Sequence, residues 1–267
     1  MLRDPAAVNE PALLELSNVT VMRGQRVVLE DFDLTIHGHE RVVILGPNGC
    51  GKSTLIRTIT RECYPVAREG SSITIMGRTS WNVGDLRSML GIVANDSLAL
   101  SDGRVCGRDV VLSGFFSSTG LAFHHHVSAE QRRRAGAALE ELGIGHLADR
   151  PVGEMSSGEA RRVLIARALV HRPKALLFDE PCNSLDVSAR HALRETMRSL
   201  ARSGTGIILV THDLADVIPE IDRVLLMSKG RIVADGTKEE MLQPGKLAGA
   251  FGIEVAIARH EGYYHLW

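Results

Sequence analysis

The sequence predicts an α/β fold with three parts: an N-terminal antiparallel β subdomain, a parallel-sheet core and an inserted α-helical subdomain. Three observations point there. Short β-prone runs fill the chain before residue 40. The run Arg41-Val42-Val43-Ile44-Leu45 then leads straight into a glycine-rich turn and a helix, the opening of a βα unit. From Ala175 onward strand and helix patterns alternate again, and a helical stretch of about 97–170 separates the two halves.

Each element has its own reason. Leu14-Glu15-Leu16, Val19 to Met22 and Val27 to Leu29 are β-prone, with Arg23-Gly24-Gln25 as a turn. Phe32 to Ile36 alternates apolar and polar residues, as a half-buried strand does. Lys52 to about Thr60 reads as the helix after the glycine turn. In the middle third, Ser128 and Gln131 have capping-box spacing, and Ala135, Leu139 and Leu142 share a helical face that ends at Gly143. A second helix runs from Glu159 to Val170 and stops before Pro173. It has Val163, Ala166 and Val170 on one side and Arg161, Arg162 and Arg167 elsewhere. Ala175 to Phe178 reads as a buried strand. Ala189, Leu193, Met197 and Leu200 mark a helix, Gly206 to Val210 a strand, and Val224 to Met227 with Arg231 to Ala234 a hairpin. After a capping box at Thr237 and Glu240 the tail loses clear periodicity and shows no ligand-like cluster. The expected organisation is one domain: core at 12–96 and 171–236, helical subdomain at 97–170, tail at 237–267.

Composition narrows the function classes. The chain has 267 residues, 31 Lys plus Arg against 32 Asp plus Glu, and a net charge of -1. That balance argues against a general nucleic-acid binder or a polybasic membrane anchor. At 44% hydrophobic and 24% charged the chain is ordinary globular, and with 4% aromatics its core must be aliphatic. Cys50, Cys63, Cys106 and Cys182 form no CxxC pair, which fits a reducing compartment. No apolar run is long enough to span a membrane, and Met1 to Glu10 lacks a signal-peptide core. A cytoplasmic location follows as the expectation, with membrane association only through a partner.

Gly46-Pro47-Asn48-Gly49-Cys50-Gly51-Lys52-Ser53 matches G-x-x-x-x-G-K-[ST] in full. Glycines let the backbone turn its N–H groups onto a phosphate, and the following helix start adds a positive dipole end. Lys52 is placed for the β- and γ-phosphates, Ser53 for Mg²⁺ and Thr54 for the α-phosphate. Cys50 reads as a small filler. The motif, after a strand and before a helix, points to a P-loop NTPase fold whose loop cradles phosphates together with Mg²⁺. Leu176-Leu177-Phe178-Asp179-Glu180 delivers two carboxylates at the carboxyl end of a buried strand, the edge where parallel sheets bind ligands. Asp179 is then the metal-side carboxylate and Glu180 the general base for water.

Together these residues resemble the nucleotide-binding subunit of ATP-binding cassette (ABC) transporters, from about Leu14 to Gly236. Met155-Ser156-Ser157-Gly158-Glu159 is similar to that family's Leu-Ser-Gly-Gly-Gln signature. Ser184-Leu185-Asp186 looks like the loop after its catalytic glutamate, and Thr211-His212-Asp213 like its switch-histidine segment. Ser156, Ser157 and Gly158 open a helix, so their amides and hydroxyls face an anion. The resemblance implies that this anion is the γ-phosphate of ATP held by a second copy. It thus implies a homodimer around two nucleotides, ATP hydrolysis with Lys52, Glu180 and His212 as the reacting groups, and a membrane permease as partner.

Several positions depart from the pattern. Where the family stacks an aromatic on adenine, this chain has Met22-Arg23-Gly24, and Arg23 is either a stacking guanidinium or a solvated turn arginine. Asn95 stands in for the family's lid glutamine, one methylene shorter, as a further metal-side group. Thr60 to Pro65, Ser113-Gly114-Phe115-Phe116 and the Ser-Ser-Gly-Glu signature look like the molybdate-type bacterial subgroup. Phe115 and Phe116 either line a permease groove or belong to the core. His124-His125-His126 reads as a solvated loop, since no Cys or carboxylate completes a metal site. The alternative function is a stand-alone cytosolic ABC ATPase serving as an assembly or regulatory factor.

Overall fold

The computed structural model describes residues 11–94, 103–116, 118, 120–121 and 125–267. The N-terminal strands are longer than their local patterns. β1 (Leu14–Arg23) and β2 (Arg26–Ile36) each absorb two of the predicted runs, because register shifts between Leu16 and Met22 keep both strands paired. β4 (Ser72–Ile75) adds to β1 and completes an antiparallel sheet ordered β2-β1-β4.

The central sheet runs β5-β6-β7-β3-β8-β9, built from β3 (Arg41–Leu45), β5 (Leu90–Val93), β6 (Ala175–Asp179), β7 (Gly206–Thr211), β8 (Arg223–Ser228) and β9 (Arg231–Thr237). All pairings are parallel except β8 with β9, the predicted hairpin. The period-2 alternation of each inner strand serves two cores. Val43, Leu45, Leu176, Phe178, Ile207 and Leu209 face the helical side. Val42, Ile44, Leu177, Ile208 and Val210 face the antiparallel sheet and α1 (Lys52–Ile59).

On the helical side lie α3 (Gly107–Ser113), α4 (Ala129–Glu141), α5 (Ser157–Leu169) and α6 (Val187–Arg202), while α2 (Val83–Met89) precedes β5. Ser128 caps α4 through the expected box with Gln131. α5 starts two residues earlier than its apolar pattern, with Ser156 as cap, and is buried nearly all round. Arg161 and Arg167, off the side of Val163 and Ala166, are therefore buried as well. Arg167 is satisfied there: its Nε donates to Ser113 Oγ at 3.1 Å and an Nη to the Ser118 carbonyl at 2.9 Å.

The tail is structured. After α7 (Lys238–Met241), with its Thr237–Glu240 box, comes α8 (Pro244–Phe251), then a hairpin of β10 (Ile257–His260) and β11 (Tyr263–Leu266). The missed helix has a legible start and stop, proline in its first turn and Gly252 at φ 75. Its apolar face is only Leu247 and Ala250, too narrow for periodicity to register.

Candidate functional site

The carboxyl ends of β3, β6 and β7 lie side by side, and each carries one of the predicted motifs. From β3 comes the glycine loop. A Cβ on Gly46 would sit 2.2 Å from the Met227 carbonyl oxygen, so only glycine fits there. Gly49 and Gly51 adopt φ of 78° and 115°, the left-handed region that glycine enters freely. Gly51 caps α1 with no side-chain hydrogen bond, and the first turn holds no acidic residue. The loop and the helix start thus offer backbone N–H groups to an anion without a competing side chain, and so fit a triphosphate.

Lys52 is buried, and its Nζ donates to the carbonyls of Gly46 at 2.8 Å and Pro47 at 3.2 Å. Ser53 is exposed and Thr54 buried, both along the cleft. Burial pushes the Cys50 thiol up, outweighing the opposing pull of Lys52, so the group stays neutral and fills space beside Gly46.

β6 ends at Asp179, and Glu180 follows at φ 45, its N–H donating to the Val210 carbonyl at 2.8 Å. Its Oε1 lies 3.5 Å from Lys52 Nζ. Its Oε2 accepts from His212 Nδ1 at 2.7 Å and from the Thr211 hydroxyl at 3.3 Å. Because a carboxylate only accepts, His212 carries its hydrogen on Nδ1 in this contact. Lys52, Glu180 and His212, far apart in sequence, form one chain of charge and hydrogen bonds.

These groups open on a cleft of about 1190 Å³. The cradle residues Pro47 to Thr54, Glu180 and His212 line it, and Arg23 and Arg26 wall one side. Arg23 is exposed at the cleft edge. Two lining segments escaped the sequence reading: the Ser228-Lys229-Gly230 turn and Gly249 to Gly252 of the tail. The tail, in which the sequence shows no ligand-like cluster, reaches the candidate site because α8 packs on β8 and ends beside the cradle.

The signature lies elsewhere. Ser156, Ser157 and Gly158 are absent from the cleft lining, and both serines are exposed. Ser156 Oγ accepts from the Glu159 N–H at 3.3 Å and Glu159 Oε2 accepts from the Ser156 N–H at 2.8 Å, a closed capping box. Those bonds from Ser156 hold the Glu159 carboxyl below the usual carboxylate range. A Cβ on Gly158 would meet the Ala189 Cβ at 2.8 Å, so this glycine also serves the approach of α5 to α6. Asn95 and His124 lie outside the described residues. His125 stacks on Phe116 with ring centroids 4.2 Å apart, so it is no freely solvated loop residue, while His126 is exposed. Phe115 packs against the helical core and meets His171 edge-on at 5.3 Å.

This architecture and cradle define a nucleotide-binding α/β protein, and the comparisons specify which. The chain belongs to the ABC transporter family, whose model matches residues 29–183. It is 36% identical over 234 residues to the Fe(3+) ions import ATP-binding protein FbpC of Streptomyces coelicolor, covering 87% of this chain and 64% of that protein. The chain thus spans under two thirds of that relative's length. It is 34% identical over 253 residues to the hemin import ATP-binding protein HmuV of Hahella chejuensis, covering 91% and 93% respectively. Among solved structures, cbiO1 from Clostridium perfringens, part of the ABC transporter complex cbiONQ, superimposes with a TM-score of 0.73 at 28% identity, covering 90% of this chain and 94% of that one.

Proposed function

We propose that the chain binds and hydrolyses ATP as the motor subunit of a membrane importer. The observation that carries this reading is the placement of Glu180 between Lys52 and His212 at the mouth of the cradle. Import is supported by the names of the FbpC and HmuV relatives, both import proteins. The molybdate-type attribution gains no such support, since those relatives are named for Fe(3+) and hemin.

In the proposed reaction the backbone amides of Gly49 to Lys52 grip the phosphates, and Lys52 neutralises charge developing on the transferred group. Glu180 orients a water and takes its proton as the oxygen attacks the γ-phosphorus. The bond to the β-phosphate oxygen breaks, and ADP and phosphate leave. His212 fixes the Glu180 carboxylate through its Nδ1 hydrogen. Ser53, which lines the cleft, would hold Mg²⁺, and Asp179 at the end of β6 is assigned to the same ion although it is absent from the cleft lining. The ion would supply charge neutralisation on the phosphates, and Asn95 is assigned to it on sequence grounds alone. Arg23 is assigned to the base side because it lines the cleft. Since Ser156, Ser157 and Gly158 stand outside their own chain's cleft, the signature is assigned to the cleft of a second copy, which makes the working unit a homodimer.

No helix among the described residues is long and apolar enough to cross a membrane, so the proposed attachment is peripheral, through a permease. Glu180→Gln tests the core of the reading. It should keep ATP binding, lower turnover by roughly 10²–10⁴ as for loss of a general base, and accumulate an ATP-bound dimer in size-exclusion chromatography. Undiminished hydrolysis by that variant removes Glu180 from the base role.

A further inference from the structure

Thr211 closes β7 fully buried, where a hydroxyl is tolerated only when bonded. Its Oγ1 accepts from the Asp213 N–H at 3.1 Å. The same oxygen lies 3.3 Å from Glu180 Oε2 and 3.4 Å from Asp216 Oδ2. A hydroxyl has one hydrogen to give, so two carboxylates share it, and both contacts are longer than a relaxed O–H···O bond. Asp216 is itself buried, with Arg194 at 3.6 Å, Arg190 at 3.9 Å and Asp213 beside it. Cys182, two residues beyond Glu180, is fully buried, and burial together with the nearby Asp216 carboxylate pushes its thiol up, so it stays neutral. Arg194 in turn lies over the ring of Tyr263 in the C-terminal hairpin, 5.3 Å from its centroid. One buried carboxylate therefore contacts the end of β7 through Thr211, with Cys182 of the loop after β6 nearby.

We infer that Thr211 is a positioning residue for Glu180, anchored from below by Asp216, so that the base and His212 move as one unit. This rests on the proposed hydrolysis and deepens it. With Oε2 held by both His212 Nδ1 and Thr211 Oγ1, the carboxylate plane is fixed and Oε1 stays on the Lys52 side. Asp216 is not part of the cleft lining, so its route to Glu180 is through the Thr211 hydroxyl.

The test compares the full chain with Thr211→Val, Thr211→Ser, Asp216→Asn, the double variant Thr211→Val/Asp216→Asn and Glu180→Gln. Steady-state ATP hydrolysis with Mg²⁺, equilibrium ATP binding and thermal midpoint are measured for each. Valine keeps the shape of threonine and deletes the hydroxyl. It should lower kcat by about tenfold or more, the worth of one hydrogen bond to a charged group, while ATP affinity stays within about twofold. Serine should restore kcat to within about threefold, because it returns the hydroxyl. The double variant should be no slower than Thr211→Val alone, the mark of two residues acting through one path. A Thr211→Val protein with wild-type kcat overturns the inference, as does a serine variant as slow as the valine one. Should Glu180→Gln be slow while Thr211→Val is normal, positioning alone fails. Should the wild type not hydrolyse ATP, or Glu180→Gln match it, the functional reading fails and takes this inference with it.

Discussion

Glu180 holds its carboxylate from a left-handed backbone position at φ 45, which costs a non-glycine residue of order 1 kcal/mol. The Glu180 N–H bond to the Val210 carbonyl and the contacts of both carboxylate oxygens compensate and aim the group. Gly46 shows the opposite constraint, no room at all. Gly46→Ala drives a methyl into the Met227 carbonyl, so it should lose about 1–3 kcal/mol of stability in urea denaturation, as overpacked sites do. Weaker ATP binding should accompany the loss in a titration. The placement of the motif residues was legible because each motif ties its side chains to a strand end or a helix start. Lys52, Ser53, Glu180 and His212 stand where glycine spacing and strand ends implied. Thr211 and Asp216 were not legible, since a buried threonine after a strand looks like any other β-branched core residue. Their roles exist only once two loops meet.

Capping boxes were the most readable signals at the scale of elements. Ser128 with Gln131 and Thr237 with Glu240 close as their spacing implied, and Ser156 with Glu159 closes too, bringing Ser157 and Gly158 inside the helix. Ser156→Ala should cost ~1 kcal/mol in urea denaturation, the usual worth of a serine N-cap. Glu159 adds a pH dependence. Its folded pKa lies below the unfolded value, so its stabilising share is complete above the unfolded value and drains away as pH falls through the folded one. Urea midpoints followed from pH 7 into the acid range should therefore fall less steeply for Glu159→Gln, which can still accept from the Ser156 N–H, than for the parent chain. What stayed hidden were elements whose partners are distant. β4 is four residues long and recognisable only by its register on β1, and the tail hairpin is fixed by packing against α6 and the segment after His212. The burial of Arg161 and Arg167 was hidden for the same reason: α5 is enclosed on most sides, and its own sequence could not say so.

For the molecule as a whole, the central question is where the exposed helix start at Ser156 and Ser157 finds its anion. Ser157→Arg places a long cation at that start without touching the cleft of its own chain. ATP affinity of the monomer should remain within about threefold by titration, and turnover should vanish, because the arriving helix start can no longer approach the γ-phosphate. Lost monomer affinity would instead mean that the signature acts within one chain. Detergent extraction with the tagged chain should bring down an integral membrane protein; consistent absence of one would favour the stand-alone ATPase. The sheet order was partly foreseeable, since each motif needed a strand end beside the others, but the tail's share of the cleft was not.

That share has a consequence for synthesis. The cleft is walled by Arg23 and Arg26 of the N-terminal sheet and by Gly249 to Gly252, more than two hundred residues further along the chain. A nascent chain not yet extended through Gly252 presents a pocket open on one flank, whatever the state of its earlier elements. Nucleotide capture by stalled ribosome complexes of graded length should then switch on only once the stretch through Gly252 has cleared the exit tunnel, making ligand uptake a reporter of the folding of α8.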